Sequence, residues 1–154
     1  CSSDLLRLDK YFAETDEKGF RKNKKAGSNN YLCTFRVGEI YLTAAEAAAR
    51  LGELSQARTR LLELMRKRYA PEAYEAKSVV VNAMDKEALV QEILDERARE
   101  LAFEGHRWFD LRRSTRPRLE KVLDGTRYVL EENDARYTLA IPKEAIEANP
   151  GLLN

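Results

Sequence analysis

From Arg36 onward, apolar residues recur at three- and four-residue steps. Val37, Ile40, Tyr41, Ala44, Ala45 and Ala48 fall on one face of a predicted helix, and Gly52 closes it in the left-handed position that ends many helices. The alanines around Glu46 combine high helix propensity with side chains small enough to admit a second helix at close range. That second helix turns Ala57, Leu61, Leu64 and Met65 inward and fades near Tyr69-Ala70-Pro71. Two helices and a glycine turn make a unit of about 34 residues, the size of a tetratricopeptide repeat, and the spacing of Tyr41, Ala44, Ala45, Ala48, Gly52, Ala57 and Leu61 fits one. Only one clear copy is present. A lone repeat cannot bury its own apolar face, so this one must stack on further helices here or elsewhere.

Residues 72–84 read as a connector, since Val79-Val80-Val81 favours extended backbone. Asp85 is then a suitable N-cap for a long helix, with Met84 placed to staple onto Leu89. Leu89, Ile93, Leu94, Leu101 and Ala102 give that helix an apolar face as far as Gly105. A short amphipathic stretch from Arg107 to Arg113 carries Trp108, Phe109 and Leu111, and Pro117 stops any continuation. After Gly125 the period changes to two. Tyr128 and Leu130, then Tyr137, Leu139 and Ile141, alternate as a hairpin around Glu132-Asn133-Asp134. Pro142 ends it, a helical turn spans 143–148, and Asn149-Pro150-Gly151 closes the chain. The expected fold is mainly α, with tetratricopeptide-like helix pairs and a small C-terminal β-hairpin. It divides into an irregular lead-in (1–35), a helix pair (36–71), a connector (72–84), a long helix with its following motif (85–116), and the hairpin with its tail (126–154).

The chain has 154 residues, enough to bury about 70% of its unfolded surface. Lys plus Arg total 27 against 26 Asp plus Glu, so no global field draws in nucleic acid or an anionic membrane. In the lead-in, Lys18, Arg21, Lys22, Lys24 and Lys25 lie near Gly19 and Gly27 and before Ser28-Asn29-Asn30, the pattern of a solvated loop. Tyr11-Phe12 and Tyr31-Leu32 mark short extended pieces. Cys1 and Cys33 are too few for a disulfide framework or a four-ligand zinc site, although they allow a single bridge. Cys1 followed by two serines has the look of a mature bacterial lipoprotein's start, but an arbitrary boundary at a cysteine gives the same pattern.

Glu92, Glu96, Glu100 and Glu104 stand at successive four-residue steps and form an acidic stripe. Like charges at this spacing destabilise an isolated helix, so the stripe requires cationic partners. Arg36, Arg97, Arg107, Arg112 and Arg113 are the candidates. A di-metal site would need Glu-x-x-His motifs, and Phe103 stands three residues before His106, the only histidine. Acid pairs of glycosidase type carry no signal among 26 acids. Arg–Glu pairs locking helices together are the favoured reading. There is no glycine-rich phosphate loop, no Ser-centred elbow and no Cys-x-x-Cys. Catalysis, metals and cofactors are therefore not expected.

The run Glu96-Arg97-Ala98-Arg99-Glu100-Leu101-Ala102-Phe103-Glu104-Gly105-His106-Arg107-Trp108-Phe109-Asp110-Leu111-Arg112-Arg113 closely resembles a motif of the SusD/RagB family of outer-membrane nutrient-binding lipoproteins. Further matches fall in the family's order. Asp4 and Arg7 resemble its "DxR", Arg36 to Leu42 with Ala44-Ala45-Glu46-Ala47 its "RxAEVYLxxAEA", and Leu64 to Arg68 its "LNxIRxR" without the Asn. Ile141-Pro142 with Asn149-Pro150 resembles its closing "IPxxEIxxNP".

The resemblance implies a portion of the family's α-α superhelix, taken from the C-terminal part of a longer protein whose lipidated cysteine lies upstream of Cys1. It implies binding without chemistry: capture of nutrient glycans at the cell surface of the outer membrane, with delivery to a SusC-like TonB-dependent transporter. The segment itself is expected to be soluble and mostly scaffold. Most ligand contacts in the family come from loops upstream, which leaves Tyr69 and Tyr74 as weak ligand candidates that equally suit covering the helix pair. Arg36, Glu39, Glu46, Glu96, Arg97, Glu100, Gly105, Arg107, Trp108, Asp110 and Arg112 carry over as architectural residues. The helix at 36–51 is expected to cross the one at 85–104, with Arg36 or Arg97 on the glutamate stripe and Trp108 capping the apolar seam. A free-standing helical module for protein–protein interaction is the alternative.

Overall fold

The computed structural model describes residues 7–25, 36–149 and 151. Asp4, both cysteines, Ser28-Asn29-Asn30, Tyr31-Leu32 and Pro150 lie outside the described residues. The chain divides into two compact units, Cys1–His106 and Arg107–Asn154.

The first unit opens with a single helical turn, α1 (Leu8–Tyr11), and a short antiparallel pair, β1 (Phe12–Thr15) and β2 (Arg21–Asn23), whose register is irregular between Phe12 and Thr15. The helices α2 (Val37–Leu51) and α3 (Leu54–Met65) follow as an antiparallel pair, joined through Gly52 at φ +87°. The expected Gly52 cap is present, with its amide donating to the carbonyls of Ala48 and Ala49. The inner face of α3 is also as expected, with Ala57, Leu61, Leu64 and Met65 all buried.

The buried face of α2 is rotated from the expected one. Leu42, Ala45, Ala48 and Ala49 face the core, together with Gly38 and Glu46, while Val37 and Ile40 are 68% and 62% exposed. Polar packing decides the rotation. A Cβ on Gly38 would stand 2.6 Å from Oε1 of Glu100, so the bare glycine backbone lies against a buried carboxylate. That constraint cannot be seen in apolar periodicity.

Residues 72–84, expected to carry extended backbone, are helical. This helix, α4 (Pro71–Ala83), has Pro71 in the first turn, where its missing N–H goes unused, and Val81 fully buried. Val81 packs in the core with Leu42, Leu61, Leu89 and Ile93, and burial outweighs the weak β preference of the valine run. Asp85 caps α5 (Lys86–Glu100) by accepting from the Ala88 amide at 2.9 Å, as expected, and Met84 packs against the cluster that includes Leu89. The helix stops at Glu100, short of the expected Gly105. Phe103 at φ +67° and Gly105 at φ +83° lie in the loop between α5 and α6 (His106–Arg113).

In the second unit the hairpin is displaced from its expected place. Its strands are β3 (Leu119–Leu123) and β4 (Thr126–Leu130), paired from Leu119↔Leu130 to Leu123↔Thr126. The turn is Asp124-Gly125, with φ +49° and +75°, the pair of left-handed residues that a two-residue primed turn requires. Residues 135–137, expected as strand, form a 3-10 turn capped by Asp134, whose carboxylate accepts from the Arg136 amide. The expected turn at 143–148 is present as α7 (Lys143–Ala148). The protein is thus mainly helical, with two small antiparallel strand pairs among the described residues. Among the described residues, no helix is long and apolar enough to cross a membrane.

Candidate functional site

The acidic stripe is the chemical centre of the first unit. Because α5 repeats every 3.6 residues, Glu92, Glu96 and Glu100 lie along one side of it. Glu104 stands beyond the helix in the loop that follows it, yet joins the same cluster. Glu96 and Glu100 are fully buried, so each needs its charge matched locally.

Glu100 is the hub. Its two oxygens accept from Arg7 Nη1 at 2.6 Å, Arg36 Nη2 at 2.9 Å, and Arg68 Nε and Nη2 at 2.9 and 3.0 Å. Glu96 takes Arg7 Nη2 at 2.7 Å on one oxygen, and Arg99 Nε and the Tyr69 hydroxyl, each at 2.9 Å, on the other. Glu92 is flanked by Arg99 at 2.7 Å and Lys77 at 2.9 Å. Glu104 pairs with Arg36 and, at 2.5 Å, with Lys25. The Lys25 ammonium also donates to the carbonyls of Glu100 and Ala102, at 2.6 and 2.9 Å, and so caps the end of α5.

The electrostatics follow from this packing. Burial alone would push the Glu100 carboxyl up, but hydrogen bonds and charge from Arg68 and then Arg7 outweigh it and hold the group below the ordinary carboxylate range. Burial and then the Glu96 charge push the Tyr69 phenol well up, so it stays protonated and donates. Desolvation pulls the Lys25 ammonium down in spite of Glu104. Beside the Tyr69 hydroxyl and the two carbonyls taken by Lys25, the interactions here join carboxylates to cations. Such an arrangement locks chain segments in place.

Of the five arginines expected on the stripe, Arg36 is there. Arg97 is buried on α5 and reaches the Thr43 hydroxyl of α2 at 3.1 Å. Within the second unit, Arg113 pairs with Asp110 at 2.7 Å, while on the same helix Arg107 is exposed and Arg112 half-buried. Sequence reasoning missed Arg7, Lys25, Arg68, Lys77 and Arg99 as partners. A signal for two of them was present, because Arg7 and Arg68 each end a motif that resembles the family's.

The other expected architectural residues have clear places. Glu39 stands 3.7 Å from His106 Nδ1, and the buried Glu46 accepts from Arg50 at 2.9 Å. Gly105 adopts the left-handed turn. Trp108 is half-buried and stacks on Tyr137 within the second unit, with centroids 5.2 Å apart and planes 11° apart. Tyr137 is fully buried, and its hydroxyl donates to the Pro117 carbonyl. Tyr69 and Tyr74 are both partly buried against the helical core, and the Arg7 guanidinium lies 5.9 Å from the Tyr69 ring centroid.

No curated protein matches the chain. A family model described as the SusD family matches residues 4–154.

Proposed function

The chain belongs to the SusD family, and on that premise we propose that it serves the capture of nutrient glycans at the cell surface, without catalysis, for delivery to a SusC-like TonB-dependent outer-membrane transporter. Family membership implies glycan-binding nutrient uptake. The delivery partner, the lipid anchor in the outer membrane and a mostly scaffolding role for this chain are parts of the proposal. The match across residues 4–154 is the observation that carries it. The buried carboxylate–guanidinium cluster supports the scaffolding part, since it ties the lead-in, α2, the end of α3 and α5 into one framework.

Affinity electrophoresis of the native protein in gels containing amylopectin, xylan, galactomannan or mixed-linkage β-glucan tests the binding. Retardation by one of them, together with co-purification of a TonB-dependent transporter, is the expected result. Free migration in all four gels with no transporter recovered would refute it. The alternative of a helical protein-interaction module is favoured by one observation. Val37, Ile40 and Leu51 line an exposed side of α2 and are 68%, 62% and 77% exposed. Recovery of a non-transporter protein, lost on Ile40→Asp, would support that reading.

A further inference from the structure

The Lys25 ammonium is withdrawn from water. Its side chain is only 8% exposed, although Lys22 and Lys24, close by in the chain, stand in solvent. A buried ammonium needs an acceptor for each of its three N–H bonds, and three acceptors meet this one. Nζ lies 2.6 Å from the carbonyl of Glu100, 2.9 Å from that of Ala102 and 2.5 Å from Oε1 of Glu104. The Tyr11 ring closes a further side, with its centroid 4.5 Å from Nζ.

Acceptors and ammonium come from separate parts of the chain. Glu100 is the last residue of α5, where helix carbonyls lack intrahelical partners and carry the negative end of the helix dipole. The Ala102 carbonyl and the Glu104 carboxylate follow in the next four residues, and Arg36, the N-cap residue of α2, also pairs with Glu104. That side of the site is held without Lys25. The cation and the aromatic face belong to the lead-in, where the Lys24 amide donates to the Tyr11 carbonyl at 2.8 Å and so brings Lys25 and Tyr11 together.

We propose that the end of α5 and the loop after it form a receptor for a primary ammonium group, which the chain fills with its own Lys25 and so closes to other amines. Three acceptors match the three N–H donors of R–NH₃⁺ and leave its carbon stem pointing away. A quaternary ammonium has no donors to offer, and a sodium ion has none either. Because Lys25 is tethered, its effective concentration at the receptor exceeds that of a free amine, which enters only where Lys25 is removed or withdrawn. This site is independent of the glycan-binding reading.

Thermal unfolding of the native protein and of Lys25→Ala, in ethylammonium, tetramethylammonium or sodium chloride at equal ionic strength, tests the receptor. Lys25→Ala unfolds at a lower temperature than the native protein in sodium chloride, and ethylammonium restores about half of the difference or more, saturably. Tetramethylammonium restores none of it, and the native protein responds alike to all three salts. Absence of a recovery specific to ethylammonium, or an equal shift in the native protein, overturns the receptor. Should Lys25→Ala fail to fold, acetic anhydride labelling of the native protein decides instead. Lys25 is then acetylated about tenfold or more slowly than the exposed Lys24, and a rate like that of Lys24 overturns the proposal.

Discussion

Replacing Glu100 by Gln keeps the side chain's shape and removes one negative charge from a site that is fully buried. Arg7, Arg36 and Arg68 all donate to that carboxylate, and Arg7 has a side chain only 6% exposed. The amide offers one acceptor where the carboxylate offered two, and its NH₂ group faces guanidinium donors. Breaking a buried ion pair from one side costs about 3–5 kcal/mol, because the remaining charge is left uncompensated. Arg7 retains Glu96 and Arg36 retains Glu104, which places Glu100→Gln near the lower end of that range. With a urea slope of about 2 kcal/mol per molar, the unfolding midpoint followed by far-UV circular dichroism falls by about 1.5 M. The pH dependence supplies an independent check. A carboxyl held below its ordinary value of 4.5 contributes stability that is fully present above 4.5 and is lost as pH falls through the lower, folded value. The native protein therefore loses stability below pH 4.5 on this account, and Glu100→Gln flattens that acid limb. A midpoint unmoved by the substitution, or an acid limb of unchanged steepness, would refute the view that Glu100 organises the framework.

Three further outcomes follow from separate features. Gly38→Ala puts a methyl group 2.6 Å from the Glu100 carboxylate and lowers stability by about 1–3 kcal/mol in thermal or urea unfolding; no loss would mean that the two segments do not approach so closely. Trp108→Ala costs about 1–2 kcal/mol, less than the 3–5 or so of a fully buried large aromatic, because the ring is half-buried and its principal packing is the stack on Tyr137; differential scanning calorimetry measures the difference. Asp85→Ala removes the α5 cap and costs about 1 kcal/mol, read from the shift in urea midpoint, while Asp85→Asn leaves the midpoint nearly unmoved.

Local chemistry made much of this fold legible in the sequence. Gly52 after an alanine-rich run, Asp85 before an apolar period and the inward face of α3 are each decided within a few residues, and all stand where the sequence places them. Tertiary packing governed the misplaced elements. Val81 follows the core into a helix against its own preference, and α2 rolls so that Gly38 meets Glu100. The hairpin has a local signal in the strong turn pair Asp124-Gly125, but residues 119–130 alternate around it less visibly than 128–141 do. The acidic stripe announces a demand for cations in the sequence itself, but not the source of most of them. Periodicity reports which residues share a face of one helix and carries no information about which distant segment will meet it.

Arg7 joins Glu100 and Glu96 from 93 and 89 residues away along the chain, whereas α2 and α3 are joined by a two-residue turn. Closing a long loop adds only slowly to the free-energy cost, since the entropy grows with the logarithm of length, but it delays the step that forms the contact. Arg36 and Arg68 reach Glu100 from the helical side at shorter separations along the chain, so the helices can dock and pair with it first, and the Arg7 contacts are expected to close latest. The lead-in is then the final clasp on carboxylates already held from the other side.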